Sequence, residues 1–465
     1  MAAPTPSVLS PIPGGIDPDL RDGMEFLRAG QIADAEIRFR TAMGRLGERP
    51  EILHFLAVCA FQKDDAAGAE KLWRRAVKRD PDEAMLHFNV GAAQHRQGKI
   101  DEAIRTWRQT LRLRPDYHEA RLRLAGVCAD REDFAAAETE FRALIAALDR
   151  PEATEGLSPE AVKQMWQRRA MAQAGLGYAL FRLDRAAEAL APFDAALAAI
   201  DATSPEWPGI QGDRGLALAS AGRLDDALAA IDEALAAAPG NARLHHSRGH
   251  VLHHAGRLEE SEPSFLKAIE LDPASADSAR LLGLGREARG DVAGAMEAYE
   301  TALKGRPDFA TAIYDLSSVA LEAKLYGRAL DALKPWLDVH RDDAKAWNNA
   351  GLAFLGLNEN ERALQAFKRA NRIDPADPLI LNNYGRALLA VGRATEAAPL
   401  HRKALEKLPG DARLLAYYGE CLLALGRLDA AVSMFTAAVS ANPDLPLAHE
   451  GLDRARARIG AAPDS

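Results

Sequence analysis

The chain has 465 residues, a formal net charge of −9 and a pI near 5.8, so it lacks the basic footprint of a general nucleic-acid binder. Hydrophobic residues are 48% of it and aromatics only 6%. Alanine and leucine therefore carry the apolar content, which favours closely packed helices, and no alternating run of strand formers points to a sheet.

Residues 1–15 (MAAPTPSVLSPIPGG) have no basic n-region and no continuous apolar stretch. They read as a disordered N-terminal tail rather than a secretory signal. No later run approaches the roughly 18 apolar residues of a membrane span, so no membrane insertion is expected and a cytoplasmic protein is the default. Cys59, Cys128 and Cys421 show no ligand spacing, and each falls in an apolar helical stripe, where free cysteine acts as a small hydrophobe. The excess of arginine with alanine points to a GC-rich bacterial genome.

From residue 16 the sequence falls into register with a period of 34. Repeats begin at 16, 50, 84 and 118 (an array over 16–151), then at 170, 208, 242, 276, 310, 344, 378 and 412 (a second array over 170–445). The block 152–169 interrupts the period. It begins as a polar loop and gains a helix start at Ser158-Pro159-Glu160, serine as N-cap and proline at N1. A lengthened helix from about Pro159 to Leu183 is expected there, and the block is the expected joint between the arrays. Residues 446–465 read as a charged capping helix and a tail. Between Lys71 and Arg123 stand 13 Lys/Arg against 7 Asp/Glu. That local excess reads as a solvated outer face rather than a phosphate-binding surface.

The columns of the repeat explain its shape. Repeat position 8 is glycine, alanine or serine throughout, from Gly23 to Gly419, and position 20 is alanine in every repeat but one, which has Ser261. Helices that cross closely need side chains this small. Position 24 is mostly large and apolar (Phe39, Trp73, Trp107, Phe141, Phe193, Phe265, Tyr299, Phe367, Phe435), and proline closes eight of the helices, as at Pro81 and Pro443. Small contacts, a bulky position 24 and a closing proline together resemble the tetratricopeptide repeat, about twelve times over. The last repeat carries the pattern fully, with Leu415, Tyr418, Gly419, Leu422, Ala431, Phe435, Ala438 and Pro443 at the signature positions.

The resemblance implies an all-α fold, an α-α superhelix of antiparallel helix pairs, whose groove is lined by positions 2, 5, 6, 9 and 12 of the first helix of each pair. It also implies a protein–protein scaffold that holds a partner protein or an extended peptide. The family's clamp for chaperone C-termini is not matched. In repeats 2 to 4 only Asn89 and Arg123 fit, His54 and Val58 do not, and Glu119 reverses a required charge.

Two other features of the groove stand out. Asn348, Asn349, Asn382 and Asn383 occupy positions 5 and 6 of adjacent repeats, with Arg386 one turn on. Asparagine amides can bond both the N–H and the C=O of an extended peptide. This ladder is similar to the repeat region of O-linked N-acetylglucosamine transferases, although no catalytic domain is expected here. The second feature is LHHSRGHVLHH, where His246, His250 and His253 follow helical spacing and His250 pairs with His254. The stripe suits partner contact; it also has the spacing for a transition metal or for a charge switch near pH 6, with Glu287 the nearest candidate carboxylate. No metal site or cofactor is assigned.

No nucleophile elbow, phosphate loop, dinucleotide fingerprint or zinc-protease motif is present, so no enzyme activity is expected. A peptide-binding scaffold is the first reading. The others are a regulatory or substrate-presenting subunit of a separately encoded enzyme such as a glycosyltransferase, and a metal- or pH-responsive sensor. A further expectation is self-association through the first repeat, by way of Leu20, Met24 and Leu27.

Overall fold

The computed structural model describes residues 17–150 and 155–460; the tail expected over 1–15, the start of the insertion and the last five residues lie outside them. Among the described residues every regular element is an α-helix. The helices form twelve consecutive A–B pairs and a lone last helix. The pairs are α1 (Pro18–Arg28) with α2 (Ile32–Leu46), α3 (Pro50–Gln62) with α4 (Ala66–Arg79), α5 (Ala84–Arg96) with α6 (Ile100–Leu113), and α7 (His118–Asp130) with α8 (Phe134–Leu148). Next come α9 (Pro159–Arg182) with α10 (Ala186–Ala199), α11 (Trp207–Ser220) with α12 (Leu224–Ala237), α13 (Ala242–His254) with α14 (Leu258–Leu271), and α15 (Ala276–Ala288) with α16 (Val292–Gly305). The last are α17 (Ala310–Glu322) with α18 (Tyr326–Val339), α19 (Ala344–Gly356) with α20 (Asn360–Ile373), α21 (Pro378–Ala390) with α22 (Ala394–Lys407), and α23 (Ala412–Ala424) with α24 (Leu428–Ala441), before α25 (Pro446–Gly460).

Two compact units divide this series, one ending at Pro239 after α12 and one beginning at Gly240 before α13. The interruption at 152–169 lies within the first. There Ser158 caps α9, its hydroxyl accepting from the Ala161 amide at 3.3 Å, and α9 runs for 24 residues. Met165 near its start is buried in the same core as Leu144 and Leu148 of α8.

Each A helix leaves through one left-handed residue at repeat position 15. Seven of the twelve are glycines, such as Gly98 and Gly256, for which a positive φ costs nothing; Asp64, Glu132, Asp184, Lys324 and Asn358 adopt it with φ near 60°. A short turn then starts the B helix, and in three pairs an aspartate (Asp65, Asp133, Asp291) caps it by accepting a backbone N–H.

The bulky residue of the B helix folds back onto the small residue of its A helix. A Cβ added at Gly91 would stand 2.5 Å from Trp107 Nε1, and one at Gly283 would stand 2.5 Å from a carbon of the Tyr299 ring. Glycine holds these positions because the ring occupies the space a side chain would need. The rings are the largest fully buried side chains of both units: Trp73, Trp107, Tyr299, Phe39, Phe193, Phe265, Phe367 and Phe435 are all less than 2% exposed. Burial of each contributes on the order of 1.5–3 kcal/mol. They also reach the neighbouring pair, as where Phe39 stacks on Phe55 at 5.0 Å.

Candidate functional site

In the second unit, polar side chains tie each A helix to the next. His246 Nδ1 of α13 meets the Ser278 hydroxyl of α15 at 2.8 Å, and Arg280 of α15 donates to Asp315 of α17 at 2.6 Å. Asn349 Nδ2 of α19 donates to Ser317 Oγ of α17 at 3.0 Å. Asn383 Nδ2 of α21 donates to Asn348 Oδ1 of α19 at 2.9 Å. Arg386 of α21 donates to Asn383 Oδ1 at 3.1 Å and lies 4.4 Å over the ring of Tyr417 on α23. Glu420 of α23 then pairs with Arg454 of α25.

This geometry changes the reading of the asparagine ladder. Asn349, Asn382 and Asn383 are buried, at 7%, 5% and 8% exposure, and their amides bond other side chains of the protein. Asn348 is half-buried and keeps donor capacity, since its one further contact, to Asn349 Oδ1, is 3.5 Å long. Arg386 is half-buried too, with its fork held in place and further N–H groups available. Asn348 and Arg386 are therefore the two members able to meet a ligand. Half-buried Leu281, Leu284, Leu321, Leu352 and Leu355 stand at the neighbouring groove positions of α15, α17 and α19.

Asn382 is drawn away from the ladder by a residue the sequence reading passed over. His401 occupies position 24 of its repeat, where the other pairs place a bulky apolar group. It is 1% exposed, packs on Gly385, and its Nδ1–H donates to Asn382 Oδ1 at 3.1 Å. Burial, with Arg386 nearby, pushes its pKa down to about 4. The signal was a single polar residue in an otherwise apolar column.

The histidines of α13 come together as rings. His246 and His250 lie 6.0 Å apart between centroids, His250 and His254 4.4 Å, and His253 and His254 6.1 Å. Burial lowers the pKa of His246 and of His253 and, with the neighbouring histidines, pushes His250 down to about 4. These three rings are therefore neutral at neutral pH, and His250 stays so near pH 6. Glu287, the carboxylate considered as a further ligand, instead accepts the Tyr299 hydroxyl at 2.5 Å. Among the described residues no three His, Cys, Asp or Glu side chains are gathered so as to hold a metal ion.

The first unit places its two candidates apart in character. Asn89 of α5 is 1% exposed and neither its Nδ2 nor its Oδ1 has a hydrogen-bond partner. Arg123 of α7 is half-buried and bonds Glu119 at 3.0 Å, four residues earlier on its own helix. The strongest polar centre of this unit lies between pairs instead. Glu70 of α4, 6% exposed, accepts from Arg74, Gln94, Gln97 and Lys99 at 2.9, 3.2, 2.9 and 2.9 Å. Burial alone would raise its pKa, but these four donors outweigh it and hold the carboxylate at about 2.

Family models described as tetratricopeptide repeat match residues 20–84, 64–107, 91–152 and 213–276, then 274–410, then 388–459. A surface lipoprotein assembly modifier of Pasteurella multocida is 29% identical over 100 residues, 22% of this chain and 20% of that protein. The matched stretch thus spans about a fifth of that relative's length. Among solved structures, the Cut9–Hcn1 hetero-tetramer of the APC/C is 15% identical, with 95% of this chain and 96% of that chain covered and a TM-score of 0.41. Yeast Tom70 is 15% identical with 95% of each chain covered and a TM-score of 0.36. A thermophilic repeat protein of Thermus thermophilus is 23% identical over 39% of this chain and 98% of its own, with a TM-score of 0.34. Among the described residues no helix is long and apolar enough to cross a membrane.

Proposed function

Because the chain belongs to the tetratricopeptide repeat family, a family of protein-interaction scaffolds, we propose that it is a non-catalytic holder of a partner protein. In this reading an extended segment of the partner lies along the A helices of the second unit, from α13 to α23. The observation that carries it is the Asn348–Asn383–Arg386–Tyr417 line. Its inner members fix its outer ones, so Asn348 and Arg386 present donors that need little ordering when a ligand arrives. The leucines beside them supply apolar contact, and the neutral rings of His246 and His250 extend the surface at its start.

Affinity capture with mass spectrometry tests this, comparing wild type with Asn348→Ala/Arg386→Ala. We expect specific partners to be lost from the variant while its circular dichroism shows that it stays folded, at a modest cost in stability because Asn383 loses both its partners. Retention of every partner would sink the proposal. The cytoplasmic placement expected from the sequence is also a proposal. It is supported by three free thiols, Cys59, Cys128 and Cys421, all buried, and cell fractionation checks it.

A further inference from the structure

The first unit carries a surface that the peptide groove does not use. A cleft of about 350 Å³ opens where α6 meets the α7–α8 turn, lined by Asp101, Ile104, Arg105, Arg108, Cys128, Arg131 and Asp133. The charges in it are not equivalent. Asp101 is paired with Arg131, and Asp133 caps α8, its carboxylate accepting from the Ala136 amide at 3.2 Å. Arg105 and Arg108 are exposed and have no hydrogen bond or ion pair to another described residue. They stand three residues apart on α6, so both fall on one face of that helix. Ile104 and Cys128, 9% and 4% exposed, give the cleft an apolar floor.

We propose that this cleft docks an acidic segment of a protein partner, whose carboxylates pair with Arg105 and Arg108. Each guanidinium offers a planar fork that matches a carboxylate. The floor accepts the methylenes of a glutamate side chain, and the volume lies at the small end of peptide and ligand pockets. The net charge of −9 repels an extended polyanion such as RNA. A short acidic segment needs only the local field, which acts over a Debye length of roughly 8 Å at physiological salt. The proposal is independent of the groove on the A helices of the second unit.

The test uses the full chain and a fluorescent hexaglutamate probe, followed by anisotropy at roughly 0.02 and 0.15 M salt. Wild type should bind, and more weakly at the higher salt. Arg105→Glu/Arg108→Glu should lose at least about tenfold in affinity, because two attractive contacts become repulsive. Asn348→Ala/Arg386→Ala should bind the probe as wild type does, which separates this site from the groove. Both arginines are exposed, so the fold should tolerate the change; Arg105→Gln/Arg108→Gln, with a weaker loss in the same direction, replaces the reversal if its circular dichroism shows unfolding. No binding by wild type at either salt, unchanged binding by a folded double variant, or tighter binding of an oligouridylate of equal length would each overturn the proposal.

Discussion

Asparagine stands at repeat position 6 in both units, and its fate differs between them. In the second unit Asn349 and Asn383 reach back to the preceding A helix, where Ser317 at position 8 and Asn348 at position 5 receive them. In the first unit Asn89 looks back on a helix with Ala57 and His54 at those positions. Alanine cannot bond, and His54 Nδ1 already accepts the Trp73 indole N–H at 3.2 Å. The amide of Asn89 is left buried and unpaired. The same residue in the same column thus stabilises one unit and costs the other. What decides is the previous repeat.

The comparison makes claims that can be broken, the largest first. If the first unit depends mainly on its apolar core, Trp107→Ala should destabilise it by about 3–5 kcal/mol, seen as an earlier urea transition and faster hydrogen exchange in α5 to α8. Protection in the second unit should hardly change. A smaller effect should appear in both units alike. His54 in the first and His401 in the second have pKa values pushed down to about 4, so each is neutral in the fold and takes up a proton once unfolded. Stability from each is present above pH 6.5 and is lost as the pH falls from there toward 4, by on the order of 1–3 kcal/mol per histidine. Melting points between pH 7 and pH 4.5 check this, and His401→Phe should flatten the second unit's share.

Asn383→Leu should cost about 1–2 kcal/mol, because Asn348 Oδ1 loses its donor and Arg386 its acceptor. The smallest effect has the opposite sign. Asn89→Leu should stabilise by about 1 kcal/mol, since it removes an amide that has no partner. Urea midpoints of the two variants decide the matter. If both shift the same way, position 6 does not behave as the two neighbourhoods require.

The register was fully legible, because a helix pair that must pack on copies of itself repeats its small and bulky positions at one period. The A helices of repeats beginning at 50, 84, 118, 242, 276, 310, 344, 378 and 412 start at those residues. The long helix before Arg182 was also readable, from the serine-proline signal at its start. The state of the amides was not. That Asn349 is buried against Ser317 depends on residues 32 positions apart meeting across two helices, and hydrophobic periodicity carries no such information. The pKa values of the α13 histidines escaped for a similar reason: spacing puts rings on one face but does not say how deeply the next helix covers them. His401 could have been found, as the polar exception in column 24.

The contact of a ring on its glycine has a consequence for how such a chain can be edited. Gly351 and Phe367 belong to one repeat, so a duplication or transposition of that repeat carries the pair along intact. The bridges between A helices do not travel in this way. Ser317 suits Asn349, Asn348 suits Asn383, and Arg386 suits Tyr417, each across a repeat boundary. Shuffling these repeats would leave every hairpin able to form while giving each one the wrong neighbour. The bridges therefore act as an address: they record the order of the repeats in the second unit, which the hairpins by themselves do not remember.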